Sequence, residues 1–565
     1  MARREQGAGS GLGRYARSVA LGWLLPMWLW VVMLAGSGAA LATDSAPESA
    51  AVAARFPDPA VRHLTPAFEP GRVAFTSNAE LRLLMQGLAR DSQLAAGGAR
   101  ISLRWLGTSQ TGVALEALHF TRDTAAAMGS APASASDASL ERVQRPSVLL
   151  VGQQHGDEPA GAEALLVIAQ ELAHGRLQAL LDHIDVIVLP RANPDGAAAG
   201  RRFTASGIDM NRDHLLLRTP EAQALAQLAR EFEPVVFVDA HEYTVPGPFV
   251  AKFGALPRFD ALLQYAMTAN LPEFVSRAAE EWFRQPVLRS LTAQDLSTEW
   301  HHTASPDPAD LTVSMGGVQP DTGRNVHGLR NAVSLLIETR GAGLGRAHLL
   351  RRVHTQITAL ASVLKSAAEH AADLQKLRRF VDAEVAAKAC LGEVIVEATA
   401  TRGEYDLLML DPTTGADKRI TVAWDSALEL VPIKQRARPC GYWLGADQAD
   451  AVRHLRVLGV QVQRIDEASV LRAEAYTQTA REIEARGALS DAAGVLRVSV
   501  GLKAALVDAE VGSYYVGLDQ PLANLIVAAL EPDTRNSFVA NRLVTDVSAL
   551  ARVTQRPDAP MTVLP

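Results

Sequence analysis

The stretch SVLLVGQQHGDEPAG, Ser147 to Gly161, ends an apolar run with His155, Asp157 and Glu158. A second apolar run, VVFVDA, leads directly into His241. Imidazole and carboxylate side chains are the groups that hold a divalent transition metal or move protons near neutral pH. Pro159 opens the next helix just after Glu158, so a loop or first turn can aim His155 and Glu158 at one point. Two imidazoles and one carboxylate leave the fourth position of a tetrahedral Zn²⁺ open, which hydrolysis by a bound water requires. Each residue alone has a plainer use, the histidines as hydrogen-bonding strand-end residues and the glutamate as a complement to a helix dipole. Asp157 and Asp239 read as loop and supporting residues rather than ligands.

Something must carry these groups to one place. SVLLVG, IDVIVLP and VVFVDA are short and apolar on both faces, the pattern of strands buried beneath helices. AGAEALLVIAQELAHGRLQALLDH and PEAQALAQLAREFE have helical spacing and good helix formers. The alternation predicts an α/β fold, a mixed β-sheet flanked by helices, with functional side chains gathered where strands end.

Further motifs follow in a fixed order: NPDG at Asn193–Gly196, RRFTASGIDMNRD at Arg201–Asp213, VDAHEY at Val238–Tyr243 and IETRG at Ile337–Gly341. LGTSQTG, Leu106–Gly112, precedes them. From about Phe75 to Leu364 the ordered set resembles the zinc carboxypeptidases of the carboxypeptidase A-like family, as a larger bacterial-type member with a C-terminal accessory domain. The resemblance implies one zinc held by His155, Glu158 and His241, with Asp209 orienting the first histidine. It implies Asn211 and Arg212 as the grip on a substrate's terminal carboxylate, a task that suits the planar fork of arginine. It implies Arg202, with Arg201 as the alternative, polarising the scissile carbonyl. Glu338, following an apolar strand, is implied as the general base, its proton affinity raised by burial. Singly, an Asn-Arg pair is ordinarily a loop with a solvated arginine, and a strand-end glutamate pairs with a neighbour such as Arg340. NPDG reads as a turn after IDVIVLP.

Two departures stand out. The family's mobile tyrosine has no counterpart in DLTVSMGGVQPDTGRNVHG, which leaves His327 or a residue from another loop to replace it, or the role to be dispensable. Thr204 stands where relatives show asparagine. His301 and His302, in a Pro/Ser-rich segment, read as solvated, with the substrate cleft as the alternative place for them.

The remaining chain sets the context. With 565 residues, 48% hydrophobic and 21% charged, the sequence is that of a multi-domain globular protein. A net charge of −7 gives no basic footprint, so nucleic acid is not expected as a partner. Cys390 and Cys440 are too few for a thiolate metal site and leave one disulfide or two buried thiols open. Residues 1–42 read as a signal peptide: Arg3, Arg4, Arg14 and Arg17 precede an apolar stretch, and Ala40-Leu41-Ala42 sets cleavage before Thr43. An uncleaved anchor is the alternative; no later run is long enough to span a membrane.

The expected organisation is then a flexible linker at 43–70, a catalytic domain at 71–375 with a low-complexity insertion at 123–142, and a C-terminal α+β accessory domain at 376–565. The resulting expectation is an exported, periplasmic or extracellular carboxypeptidase acting on peptides with a free C-terminal carboxylate. Its alternatives are an amidase or deacylase on N-acyl amino acids or cell-wall peptides, and a catalytically silent binding protein.

Overall fold

A computed structural model describes residues 48–94, 98–122, 145–305, 307–484 and 494–565. Its main element is an eight-stranded sheet. In spatial order the strands are Arg100–Thr108, Ala114–Thr121, Asp185–Leu189, Ser147–Gly152, Val236–Thr244, Val333–Ala342, Ala261–Tyr265 and Thr298–Trp300. The four strands from Asp185–Leu189 to Val333–Ala342 run parallel, and antiparallel partners flank them on both sides. Ser147–Gly152 is buried at every position, as a run apolar on both faces demands. Helix Pro159–His174 and helix Leu349–Glu369 pack together against the sheet, with Leu165, Leu172, Leu360 and Val363 in the shared core.

Glycine sets the approach of two motifs. A Cβ on Gly156 of HGDEP would lie 1.9 Å from the Gly196 carbonyl carbon of NPDG, so the two backbones touch where a side chain cannot fit. NPDG is more than a turn: Asn193 caps helix Pro194–Ala199, its Oδ1 accepting from Gly196 N at 2.9 Å. Asp195 then accepts from Ser109 Oγ at 2.7 Å and from Thr111 N at 3.1 Å, which ties LGTSQTG to the same turn.

The long helical stretch after residue 347 is two helices, Leu349–Glu369 and Ala371–Ala387, broken at His370. Beyond them, a hairpin of Glu393–Leu410 and Asp417–Ala437 joins a second sheet with Leu256–Pro257, Thr303–Ala304 and Val313–Ser314. The segment 376–565 also holds a third, seven-stranded sheet and the helices Ala449–Val457 and Ala523–Leu530. The two cysteines are bonded, Cys390 to Cys440.

Within the linker expected at 43–70, the stretch Glu48–Phe56 is anchored against the fold, while most of the residues from 57 to 64 are exposed. Val52 and Phe56 are buried beside Tyr243, Val245 and Leu410, and Glu48 pairs with Arg340 and His348. Two apolar anchors and one acid suffice to fix a segment whose Ala/Ser/Pro content reads as loose. The signal peptide at 1–42 and the insertion at 123–142 lie outside the described residues.

Candidate metal centre

His155 lies three residues beyond the strand Ser147–Gly152, whereas His241 and Glu338 lie inside their strands, Val236–Thr244 and Val333–Ala342. Parallel pairing sets Gly152 opposite Ala240 and His241 opposite Glu338. Three neighbouring strands thereby deliver two imidazoles and two carboxylates to one edge of the sheet.

Ligand-type atoms of His155, Glu158 and His241 all lie within 4.8 Å of one another. The two Nδ1 atoms are 3.1 Å apart, and each is 2.7 Å from an oxygen of Glu158. The outer nitrogens face carboxylates: His155 Nε2 is 3.1 Å from Asp209 Oδ1, and His241 Nε2 is 2.8 Å from Asp239 Oδ1. An Nε2–H held in this way turns the Nδ1 lone pair inward. Two lone pairs and a carboxylate then converge in a buried space, an arrangement that only a cation relieves. Two histidine nitrogens with one carboxylate suit zinc.

Supporting contacts hold the set in place. Glu242 N donates to Glu158 Oε2 at 3.1 Å, and Gln154 Nε2 donates to Asp239 Oδ1 at 2.6 Å. Arg202 donates to Asp209 Oδ2 through Nε and Nη2 at 3.1 and 2.8 Å, and its Nη1 lies 3.6 Å from Glu158 Oε1. Arg202 lines the cleft, while Arg201 is exposed outside it.

Glu338 lines the same cleft. Burial pushes its carboxyl up to about 7, against the pull of the His241 charge. Arg212 also lines the cleft, its Nη1 donating to Asn211 O at 2.6 Å. Asn211 lines the cleft as well; its Oδ1 accepts from Gly323 N at 2.8 Å and its Nδ2 donates to Asp239 Oδ2 at 3.2 Å. The amide is engaged inside the protein.

The histidines outside the ligand set depart from expectation. His301 and His302 are buried and line the cleft rather than facing solvent. His301 Nδ1 is 3.0 Å from Gln264 Oε1, and its Nε2 is 3.4 Å from Glu338 Oε1. Their burial comes from the second sheet, in which Val313 pairs with Trp424, a contact that local pattern does not reveal. His327 does not replace the missing tyrosine, because it is buried and stacks on Phe237 at 3.7 Å. Thr204 is buried and donates to Ile208 O at 3.1 Å. Arg324, absent from the sequence reading, is a further buried residue of the cleft wall.

Residues 94–245 match the family model for Peptidase_M14, zinc carboxypeptidase. The chain carries a zinc carboxypeptidase domain. The matched span holds all three candidate ligands together with Arg202, Asp209, Asn211 and Arg212; Glu338 falls beyond it. Carboxypeptidase 2 of Trichophyton rubrum is 29% identical over 420 residues, covering 71% of this chain and 76% of its own length. Human carboxypeptidase D is 29% identical over 178 residues, 26% of this chain and 13% of the relative. A metallo-carboxypeptidase from Pseudomonas aeruginosa, solved in complex with (2-guanidinoethylmercapto)succinic acid, aligns with a TM-score of 0.35 at 19% identity, over 51% of this chain and 68% of that one.

Proposed function

We propose that the protein is an exported zinc metallocarboxypeptidase that removes the last residue of peptides bearing a free C-terminal carboxylate. The observation that carries this reading is the convergence of His155 Nδ1, His241 Nδ1 and Glu158 beside Glu338, in a cleft that also presents Arg212.

His155, Glu158 and His241 would hold the ion. Zinc, when bound there, supplies Lewis acidity toward the scissile carbonyl and makes a bound water acidic near neutral pH. Asp209 and Asp239 keep both imidazoles in the tautomer that points Nδ1 inward. Arg212 takes the terminal carboxylate and so fixes which peptide bond reaches the reacting groups. Arg202, anchored on Asp209, offers its remaining N–H groups to the carbonyl oxygen as negative charge grows on it. Glu338 accepts the proton of the attacking water and delivers it to the leaving amine nitrogen.

Export rests on the arginine-flanked apolar leader and on the disulfide that uses both cysteines, a bond typical of oxidising compartments. Among the described residues no helix is long and apolar enough to cross a membrane. Metal analysis combined with paired peptides, free or amidated at the C-terminus, tests the proposal. The expected result is one zinc per chain and hydrolysis only of the free-terminus member. Cleavage of N-acyl amino acids but not peptides, or bound zinc without turnover, would refute it.

A further inference from the structure

The cleft holds more positive charge than a terminal-carboxylate grip requires. Arg324, on helix Gly323–Leu329, is only 4% exposed. Its Nη2 donates to Gly317 O at 2.8 Å, and its buried Nε has no hydrogen-bond partner. Among the described residues no carboxylate forms an ion pair with it, and the charges of Glu338, Asp321 and Asp239 attract it only from farther away. A buried guanidinium satisfied by a single backbone carbonyl is costly unless something else completes it. Burial, reinforced by the positive charge of Arg212, pulls its pKa down to about 10.

The other charged groups of the cleft have uses of their own, Glu338 among them as the proposed general base. Arg202 is bound to Asp209, and Glu242 is bound to Arg352 at 2.7 Å. Glu158 belongs to the ligand set. Two guanidiniums, Arg212 and Arg324, remain with backbone carbonyls as their hydrogen-bond partners. Gly316 lets the backbone pack directly against both side chains: a Cβ there would lie 3.0 Å from Arg324 Nη2 and 2.8 Å from His301 Nδ1. A residue ending in two carboxylates would match two such cations.

Building on the carboxypeptidase reading, we propose that the cleft selects peptides whose last residue is glutamate or aspartate, with Arg212 on the terminal carboxylate and Arg324 on the side-chain carboxylate. Arg324 is then the residue that sets specificity, and its fork provides the directional, charge-assisted contact that an amide side chain cannot return.

The test is a set of peptides identical except for a last residue of Glu, Asp, Gln, Leu or Lys, each with a free terminus, hydrolysed by the zinc-loaded full chain. The expected kcat/KM for Glu exceeds that for its isostere Gln by about tenfold or more, with Lys slowest. Equal values for Glu and Gln, or a preference for Leu or Lys, overturn the assignment while leaving the carboxypeptidase reading intact. Failure to cleave any member overturns that reading and this one with it. Arg324→Gln should bring the Glu:Gln ratio close to one, and Arg324→Lys should retain an acid preference. A residue that merely clips the Gly317 loop would instead slow all substrates alike. Calorimetry with free glutamate and free glutamine adds a readout without turnover, and glutamate is expected to bind more tightly. Should the variants fail to fold, the profile of the unaltered protein decides the matter alone.

Discussion

Replacing Asp239 by asparagine probes how the metal centre is held without touching a ligand. Asp239 Oδ1 lies 2.8 Å from His241 Nε2 and accepts from Gln154 Nε2 at 2.6 Å, while Oδ2 accepts from Asn211 Nδ2 at 3.2 Å. Donors therefore face both oxygens, and either orientation of an asparagine turns its NH₂ toward one of them. A hydrogen bond to a charged partner contributes about 1.5–3 kcal/mol against about 0.5–1.5 for a neutral one, so loss of the charge alone costs about 1 kcal/mol. The donor-against-donor contact adds about 1 kcal/mol or more. Together these weaken zinc binding by about 10- to 100-fold, the range typical of outer partners of ligating histidines. Equilibrium competition against a chelator of known affinity measures it, and circular dichroism checks that the fold is kept. An affinity within about twofold of the unaltered protein would refute the argument that Asp239 orients His241.

Glu338→Gln should retain full zinc content while turnover falls by about 10²- to 10⁴-fold, as seen by metal analysis beside single-turnover kinetics; unchanged rates would remove Glu338 from the base role. Arg212→Met should lower kcat/KM on free-terminus peptides by about 30-fold or more, mainly through KM, because one partner of a charge-assisted pair is lost. Acid stability should depend on Glu48. Burial alone would raise its carboxyl, but hydrogen bonds from His348 and Arg340 outweigh this and hold it at about 2, below the ordinary 4.5. A depressed carboxyl contributes stability above pH 4.5 that is lost as pH falls toward 2, here about 1–2 kcal/mol after allowing for its partial exposure. Glu48→Gln should flatten the denaturation curve between pH 4.5 and 2, and an unchanged slope would contradict the assignment.

The centre of the sheet was legible because buried parallel strands are written as continuous apolar runs, and HGDEP and VDAHEY stand at or near their ends. The contact of Gly156 with Gly196 explains why two motifs forty residues apart carry glycine, yet the sequence alone presents them as separate turns. Arg324 escaped notice, and His301 and His302 read as solvated, for a different reason. The wall they belong to is built by pairing Val313–Ser314 with a strand more than a hundred residues later, and no local periodicity reports such a contact. Asn211 lies in the cleft where the motif points, but its hydrogen bonds with Gly323 and Asp239 join segments that the sequence does not show to be neighbours. The packed segment from Glu48 escaped because Val52 and Phe56 are only two apolar residues in a stretch of small ones.

X-ray absorption at the zinc edge, with anomalous diffraction to locate the ion, tests the central claim most directly. The account predicts one zinc per chain, held by two imidazole nitrogens and the carboxylate of residues 155, 241 and 158, at about 2.0–2.2 Å. An ion bound elsewhere, or a first shell lacking either imidazole, would contradict it.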